Sequence, residues 1–366
     1  MDIPFVGTSV IAFIAVFSAL VFFHELGHFW VARRLGIRVD VFSIGFGPPL
    51  WSRKDRHGIE WRLSAIPLGG YVKFFGDATA ASNQTQDLEL MSEADRRDCF
   101  HFRPISHRAA VVAAGPIANF LLALVIFIGM FMTVGQQFSE PVIDKVLEGS
   151  RAEKAGFQAG DRVLQVGSSG IESFEQFRNQ IVLNADKPLS ITVQRGGETL
   201  VLEAIPATHV DKSSRSGRLG VVNEHPAMVQ RGFFDAVWYS GVEVRDNVLM
   251  ILHVVGEMIR GERSVKDLGG PLKIAEVSGE VAQSSLLGLV MLTAVLSINL
   301  GLINLFPIPV LDGGHLLYYA FEAVRGRPLG ERVQEYGFRV GMALVLLLMV
   351  VVTWNDLIGM VSRIQS

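Results

Sequence analysis

His24 and His28 stand four residues apart with Glu25 beside the first, in Phe23-His24-Glu25-Leu26-Gly27-His28. On a helix, four residues advance the azimuth by about 40°, so both imidazoles leave one face and can reach a single ion. Two histidines one turn apart with an adjoining carboxylate form the donor set of zinc hydrolases, in which the metal activates water and the glutamate accepts its proton. Two ligands do not complete such a site. A catalytic zinc takes three from the protein and leaves one position for water.

The expected third ligand is Asp312, in Asn304-Leu305-Phe306-Pro307-Ile308-Pro309-Val310-Leu311-Asp312-Gly313-Gly314. It is the first charge after a long uncharged stretch, where a carboxylate is costly unless paired or metal-bound. Pro307 and Pro309 interrupt the helix and Gly313-Gly314 lets the backbone bend. Irregular backbone at membrane depth is tolerated where it lines a cavity. The expectation is therefore one Zn2+ per chain on His24, His28 and Asp312. Glu25 would act as the base that takes a proton from water and passes it to the leaving amine. Asn304 either donates to the substrate backbone or oxyanion, or bridges two helices. Asn119, in Gly115-Pro116-Ile117-Ala118-Asn119, poses the same choice, and its small neighbours favour helix packing. His315 is a spare donor close by.

These residues sit in a chain built for lipid. Of 366 residues 49% are hydrophobic and only 19% charged, below the quarter or so usual in soluble domains. Mean hydropathy is +0.35. A net charge of -3 gives no sign of nucleic-acid binding. The single cysteine, Cys99, excludes an internal disulfide framework and a multi-cysteine zinc site. The apolar amino terminus lacks a basic leader and a small-residue cleavage site, so it reads as a span and not as a signal peptide.

The fold class expected is a polytopic α-helical membrane protein with four core spans. Residues 1–34 form the first span, 106–137 the second, 281–314 the third and 336–362 the fourth. Arg33, Arg34 and Arg38, then Arg96, Arg97, Arg103 and Arg108, then Arg325, Arg327, Arg332 and Arg339 cluster beside the 35–105 and 315–335 loops. Lys/Arg bias makes these loops cytoplasmic and puts both termini and the 138–224 insert outside. The first and third spans then end at one depth, carrying His28 and Asp312 to the same side.

The 35–105 loop is expected to carry a small antiparallel sheet against the membrane. Val39 to Phe46 and Ile59 to Ser64 have strand patterns, and Gly69-Gly70 turns into Tyr71-Val72-Lys73-Phe74. The acidic, polar stretch from Ala78 to Asp98 reads as mobile. Residues 138–224 read as a small α/β domain, with strands at Pro141-Val142-Ile143, Arg162-Val163-Leu164 and Leu189 to Val193, and a helix from Ser173 to Leu183. Residues 225–280 read as an amphipathic helical region lying on the outer membrane surface, because Glu243, Arg245 and Asp246 oppose a fifth span.

His24-Glu25-Leu26-Gly27-His28, Gly115-Pro116-Ile117-Ala118-Asn119, Leu268-Gly269-Gly270-Pro271 and the run from Asn304 to Gly314 together resemble the site-2 protease family, peptidase M50, and most closely its bacterial RseP-type branch. The resemblance implies a zinc metalloendopeptidase that cuts transmembrane segments of single-pass proteins after a first cut by another protease. Anti-sigma-factor-like proteins and signal-peptide remnants are the substrates it suggests. It also implies a bacterial inner-membrane location with the active site near the cytoplasmic side, a membrane-associated β-hairpin, and a PDZ-like identity for the insert. Gly149 to Asp161 has the shape of such a domain, and Leu219-Gly220-Val221 would be its peptide-binding loop. The chain has room for one such domain. Gly69, Gly70, Tyr71 and Val72 are expected to hold unwound substrate as an added strand. The insert either recruits a newly exposed carboxyl terminus or sterically excludes substrates with large outer domains. The rival classes are a metal transporter, since intramembrane His and Asp also mark ion pathways, and a membrane-tethered scaffold with a vestigial metal site.

Overall fold

The computed structural model describes residues 3–77, 91–211, 214–224, 227–262, 264 and 269–365. Most of the acidic stretch read as mobile, and Leu268 of the Leu-Gly-Gly-Pro motif, lie outside these. The chain divides into two compact units, residues 1–126 with 269–366, and residues 127–268.

The first unit begins with α1 (Ile3–Arg34), β1 (Val39–Lys54), β2 (Glu60–Phe74), α2 (Glu93–Asp98) and α3 (Ile105–Thr133), the last running on into the second unit. Among the described residues four helical stretches are long and apolar enough to cross a membrane: Gly7–Arg34, Ile105–Thr133, Leu286–Asn304 and Arg332–Gly359. The shortest has 19 residues, which at 1.5 Å per residue is about 28 Å and still matches a hydrocarbon core of about 30 Å. The protein is a multi-pass membrane protein.

β1 and β2 each fold back on themselves. Phe42 has partners on both sides, Val72 on one and Trp61 on the other, and Trp61 in turn pairs with Arg53. Gly70 to Phe74 is consequently an outer edge of this sheet. The sheet is anchored to α1 by aromatic packing. The fully buried Phe42 ring lies 5.9 Å from Phe22, 5.6 Å from Phe29 and 4.7 Å from Trp61. At its far end Phe46, Leu50, Trp51, Leu63 and Ile66 are exposed, an apolar tip suited to lipid and not to water.

The second unit contains β3 (Gln136–Phe138), β4 (Lys145–Val146), α4 (Arg151–Lys154), β5 (Arg162–Val166), β6 (Ser169–Gly170), α5 (Phe174–Leu183), β7 (Leu189–Arg195), β8 (Glu198–Ala204), β9 (Ala207–Asp211), β10 (Ser214–Arg218), β11 (Val221–Val222), β12 (Ala227–Val229) and α6 (Phe233–Ile259). Its main sheet has the order β6-β5-β7-β8. Ser173 caps α5 by accepting from the Gln176 N–H, as Ser before an apolar 3.6-residue period would. Phe177 and Ile181 then pack with Val163, Ile191 and Val193 into a dry core. Pro141-Val142-Ile143 is not a strand; Val142 makes one isolated bridge to Arg162.

The chain returns to the first unit with α7 (Pro271–Ser284), α8 (Leu286–Asn304), α9 (Asp312–Arg325) and α10 (Glu331–Gln365). Here the boundaries expected from the sequence change. The apolar stretch read as one span from 281 to 314 is three elements. Ser285 stops α7 and caps α8 with its hydroxyl on the Gly288 N–H, and Asp312 opens a new helix. The 225–280 region is likewise not uniform. α7 packs along α1, with Gly279 so close to Ser9 that any side chain there would clash. The helix that carries the fourth span, α10, begins at Glu331.

α7 is also fastened at its beginning. Asp356 on α10 accepts from the Gly270 N–H and the Lys273 N–H, each at 3.0 Å. A carboxylate at a helix N-terminus satisfies amides that have no partner within the helix. A side chain at 270 would strike Asp356 and Val352, which explains why that position of the motif is glycine.

Candidate metal centre

His24 and His28 lie in the last third of α1. Asp312 is the first residue of α9, reached through the non-helical turn 305–311. In that turn Val310 has φ 117°, a strained conformation for a β-branched residue. Gly313 and Gly314 lie against the carbonyls of Leu305, Phe306 and Ile308, where no side chain fits. The turn therefore closes tightly and aims Asp312 back towards α1.

The three donor atoms converge. Nε2 of His24 is 3.3 Å from Nε2 of His28, and Oδ2 of Asp312 is 3.2 Å from the first and 3.5 Å from the second. A tetrahedral centre with bonds of about 2.0–2.1 Å would set its ligand atoms about 3.3–3.4 Å apart. The spacing therefore fits a zinc ion. Oδ2 of Asp312 is buried and, among the described residues, has no hydrogen-bond partner of good geometry, a cost that a cation would remove. Among the described residues this trio is the group of His, Cys, Asp or Glu close enough to hold a metal.

The outer contacts orient the rings. Nδ1 of His28 is 2.8 Å from the Val111 carbonyl oxygen. A carbonyl only accepts, so Nδ1 carries the proton and Nε2 offers its lone pair to the centre. Nδ1 of His24 faces the side-chain amide of Asn119 at 3.2 Å. That contact joins α3 to α1, a bridge between helices of the kind the small neighbours of Asn119 favour. Gly27 lies against the Ala114 carbonyl, and a side chain on Gly115 would enter the imidazoles, so small residues bring α1 and α3 together at the site.

Glu25 is 9% exposed and lines, with the three donors, a cavity of about 810 Å³. Asn304, Gly70, Tyr71, Val72 and His315 line the same space. Gly69 stands outside the lining and packs on the Phe46 ring. The outer edge of β2 is not bare. The Val72 backbone is hydrogen-bonded to Glu25, and the Phe74 N–H donates to Oδ2 of Asp77 at 3.2 Å. Asp77 also holds His101 at 2.9 Å. Asp77 and His101 went unnoticed in the sequence, where nothing in their spacing links them. Deeper in the wall Arg108 pairs with Glu322 at 2.6 Å.

In the second unit Leu219 is buried in the core. Its carbonyl accepts from the Ala152 N–H and that of Gly220 from the Leu147 N–H, both at 2.8 Å. Gly220 has φ 89°, which glycine adopts without strain. Val221 pairs with Val146.

Comparison with known proteins agrees with this geometry. The sequence pattern of peptidase family M50 matches residues 12–348. A chain of Agrobacterium fabrum named as a zinc metalloprotease is 42% identical over 368 residues, with 96% of each chain covered. Metalloprotease MmpA of Caulobacter vibrioides is 38% identical, with 95% of each covered. Protease RseP of Yersinia pestis is 32% identical over an alignment of 450 positions that covers 95% of this chain and 98% of the relative. That alignment is longer than this chain, so the relative carries insertions that this chain lacks.

Proposed function

The chain belongs to peptidase family M50 and is a zinc metalloprotease, and we propose that it cuts transmembrane segments of single-pass proteins inside the bilayer. The reading rests on one observation: three donors from two elements converge at tetrahedral spacing beside Glu25, at the end of an apolar span. Family membership also favours hydrolysis over the transporter and scaffold alternatives.

His24, His28 and Asp312 hold the metal. Bound there, zinc supplies Lewis acidity to water and to the scissile carbonyl. Glu25 accepts the proton of the attacking water and returns it to the leaving amine. Asn304 donates to the substrate backbone or to the developing oxyanion. A helical substrate hides its peptide bonds in its own hydrogen bonds, so it has to be unwound. The edge strand from Gly69 to Val72 receives the extended segment, with its backbone displacing the Val72 contact to Glu25.

The substrate has already lost its outer domain to another protease, in the manner of anti-sigma-factor-like proteins or signal-peptide remnants. Residues 138–224 act as a PDZ-like filter at the periplasmic face, with both termini on that side and the metal centre towards the cytoplasm of a bacterial inner membrane. Leu219-Gly220-Val221 forms that domain's peptide-facing loop.

The deciding experiment is Glu25→Gln, assayed on a model transmembrane substrate in parallel with zinc content. The expected outcome is a loss of cleavage of at least about 10²–10⁴-fold with zinc retained. Retained proteolysis would refute the mechanism.

A further inference from the structure

Asn119 is fully buried and takes no part in ligation or in lining the cavity. Its amide nitrogen is 3.2 Å from Nδ1 of His24, while its Oδ1 is buried with no hydrogen-bond partner among the described residues. The two ends of an amide exchange places by a half-turn of the side chain, and which end faces a histidine follows from the proton on that ring. A metal on Nε2 uses that lone pair, so the proton of the neutral imidazole must sit on Nδ1 and needs an acceptor. For His28 the acceptor is the Val111 carbonyl. For His24 the polar group in reach is Asn119.

We propose that Asn119 is the positioning residue of His24: when zinc is bound, its Oδ1 accepts the Nδ1–H of His24 and holds Nε2 towards the metal. The inference rests on the zinc site assigned above. The backbone beneath the Asn119 amide is held in place. Ser297 on α8 donates to the Asn119 carbonyl at 2.8 Å, and Gly301 lets α8 close onto Pro116 and Asn119.

The test measures zinc affinity of the full chain in lipid nanodiscs by competition with a chelator. Asn119→Leu keeps the volume and removes the acceptor, and should weaken zinc by about 10–100-fold. Asn119→Asp restores an oxygen acceptor and should return affinity to within a few-fold of wild type. Wild-type affinity in the leucine variant, or no recovery in the aspartate variant, would overturn the proposal. His24→Ala separates the two readings. If it too leaves affinity unchanged, the zinc site itself is wrong; if it abolishes binding while Asn119→Leu does not, only the role of Asn119 fails. A measurement on unmodified protein guards against misfolded variants. In zinc-loaded wild type with 15N-labelled histidine, Nδ1 of His24 should carry a slowly exchanging proton. An unprotonated Nδ1 there would also overturn it.

Discussion

Gly115 on α3 has no side chain because the ring of His28 occupies the place where one would stand. The two imidazoles of the candidate centre are thus packed against a neighbouring helix that adds no donor to the trio. Gly115→Ala would push a methyl group into both imidazoles. Overpacking of this kind costs about 1–3 kcal/mol, so zinc should bind about tenfold or more weakly although every ligand is intact. Chelator competition on the purified variant checks this, and unchanged affinity would show that the contact is slack.

Removing Asp312, the proposed third ligand, should have a thermal signature. Zinc that binds only folded protein stabilises it by about 2.7 kcal/mol at a free concentration of 100 Kd. Added zinc should therefore raise the melting temperature of the metal-stripped wild type. In Asp312→Ala the same titration should leave it where it was.

The edge of β2 predicts a backbone preference in the substrate. If Gly70 to Val72 pairs with an unwound segment, substrate N–H groups on the pairing side are needed. N-Methylation at one such position removes one hydrogen bond, worth about 0.5–1.5 kcal/mol, and should slow cleavage by about 3–10-fold. Methylation one residue along, on the opposite side of the strand, should matter much less. Equal rates for the two substrates would exclude strand pairing.

The inserted domain carries an acid-sensitive tie. Burial alone would raise the Asp161 carboxyl, but Arg195 donates to it from Nε at 2.7 Å and Nη2 at 2.8 Å, and the Gln158 N–H at 2.9 Å, and together they hold it below the usual range. Because the folded value is depressed, this stability is present above the unfolded value of about 3.9 and is lost as pH falls through the folded one. Amide exchange in β5 and β7, corrected for its intrinsic pH dependence, should rise below about pH 4 in wild type. Asp161→Asn should already exchange faster at neutral pH and show a flatter acid response.

Deleting residues 140–222 separates filtering from recruitment. A filter lost in this way should permit premature cleavage of substrate that still has its outer domain. Cleavage that disappears altogether would instead mean that the domain brings substrate in.

Much of the centre was legible because its chemistry is written in residue types that lipid rarely tolerates. His24, Glu25 and His28 declare themselves by spacing, and Asp312 by being the first charge after an apolar run. The four spans follow from length and polarity. What escaped depends on contacts across helices. Asn119 looks like any small-residue neighbour in a packed span, and only the position of the His24 ring gives it a task. The break at Ser285 is hidden because α7 ends and α8 begins in residues equally free of charge. α7 itself looks like a surface helix until Gly279 is seen against Ser9, and the link from Asp77 to His101 joins residues whose types alone suggest nothing.

The carboxylate of Asp356 has a mechanical consequence. Through its two hydrogen bonds at Gly270 and Lys273, the last span and the helix lying along α1 are riveted together. Any swing of α10 away from its neighbours must either drag α7 with it or strand two amides without partners. A lateral doorway for a helix-sized guest therefore opens at low cost only where that rivet is not strained, or by moving α7 and α10 as one leaf.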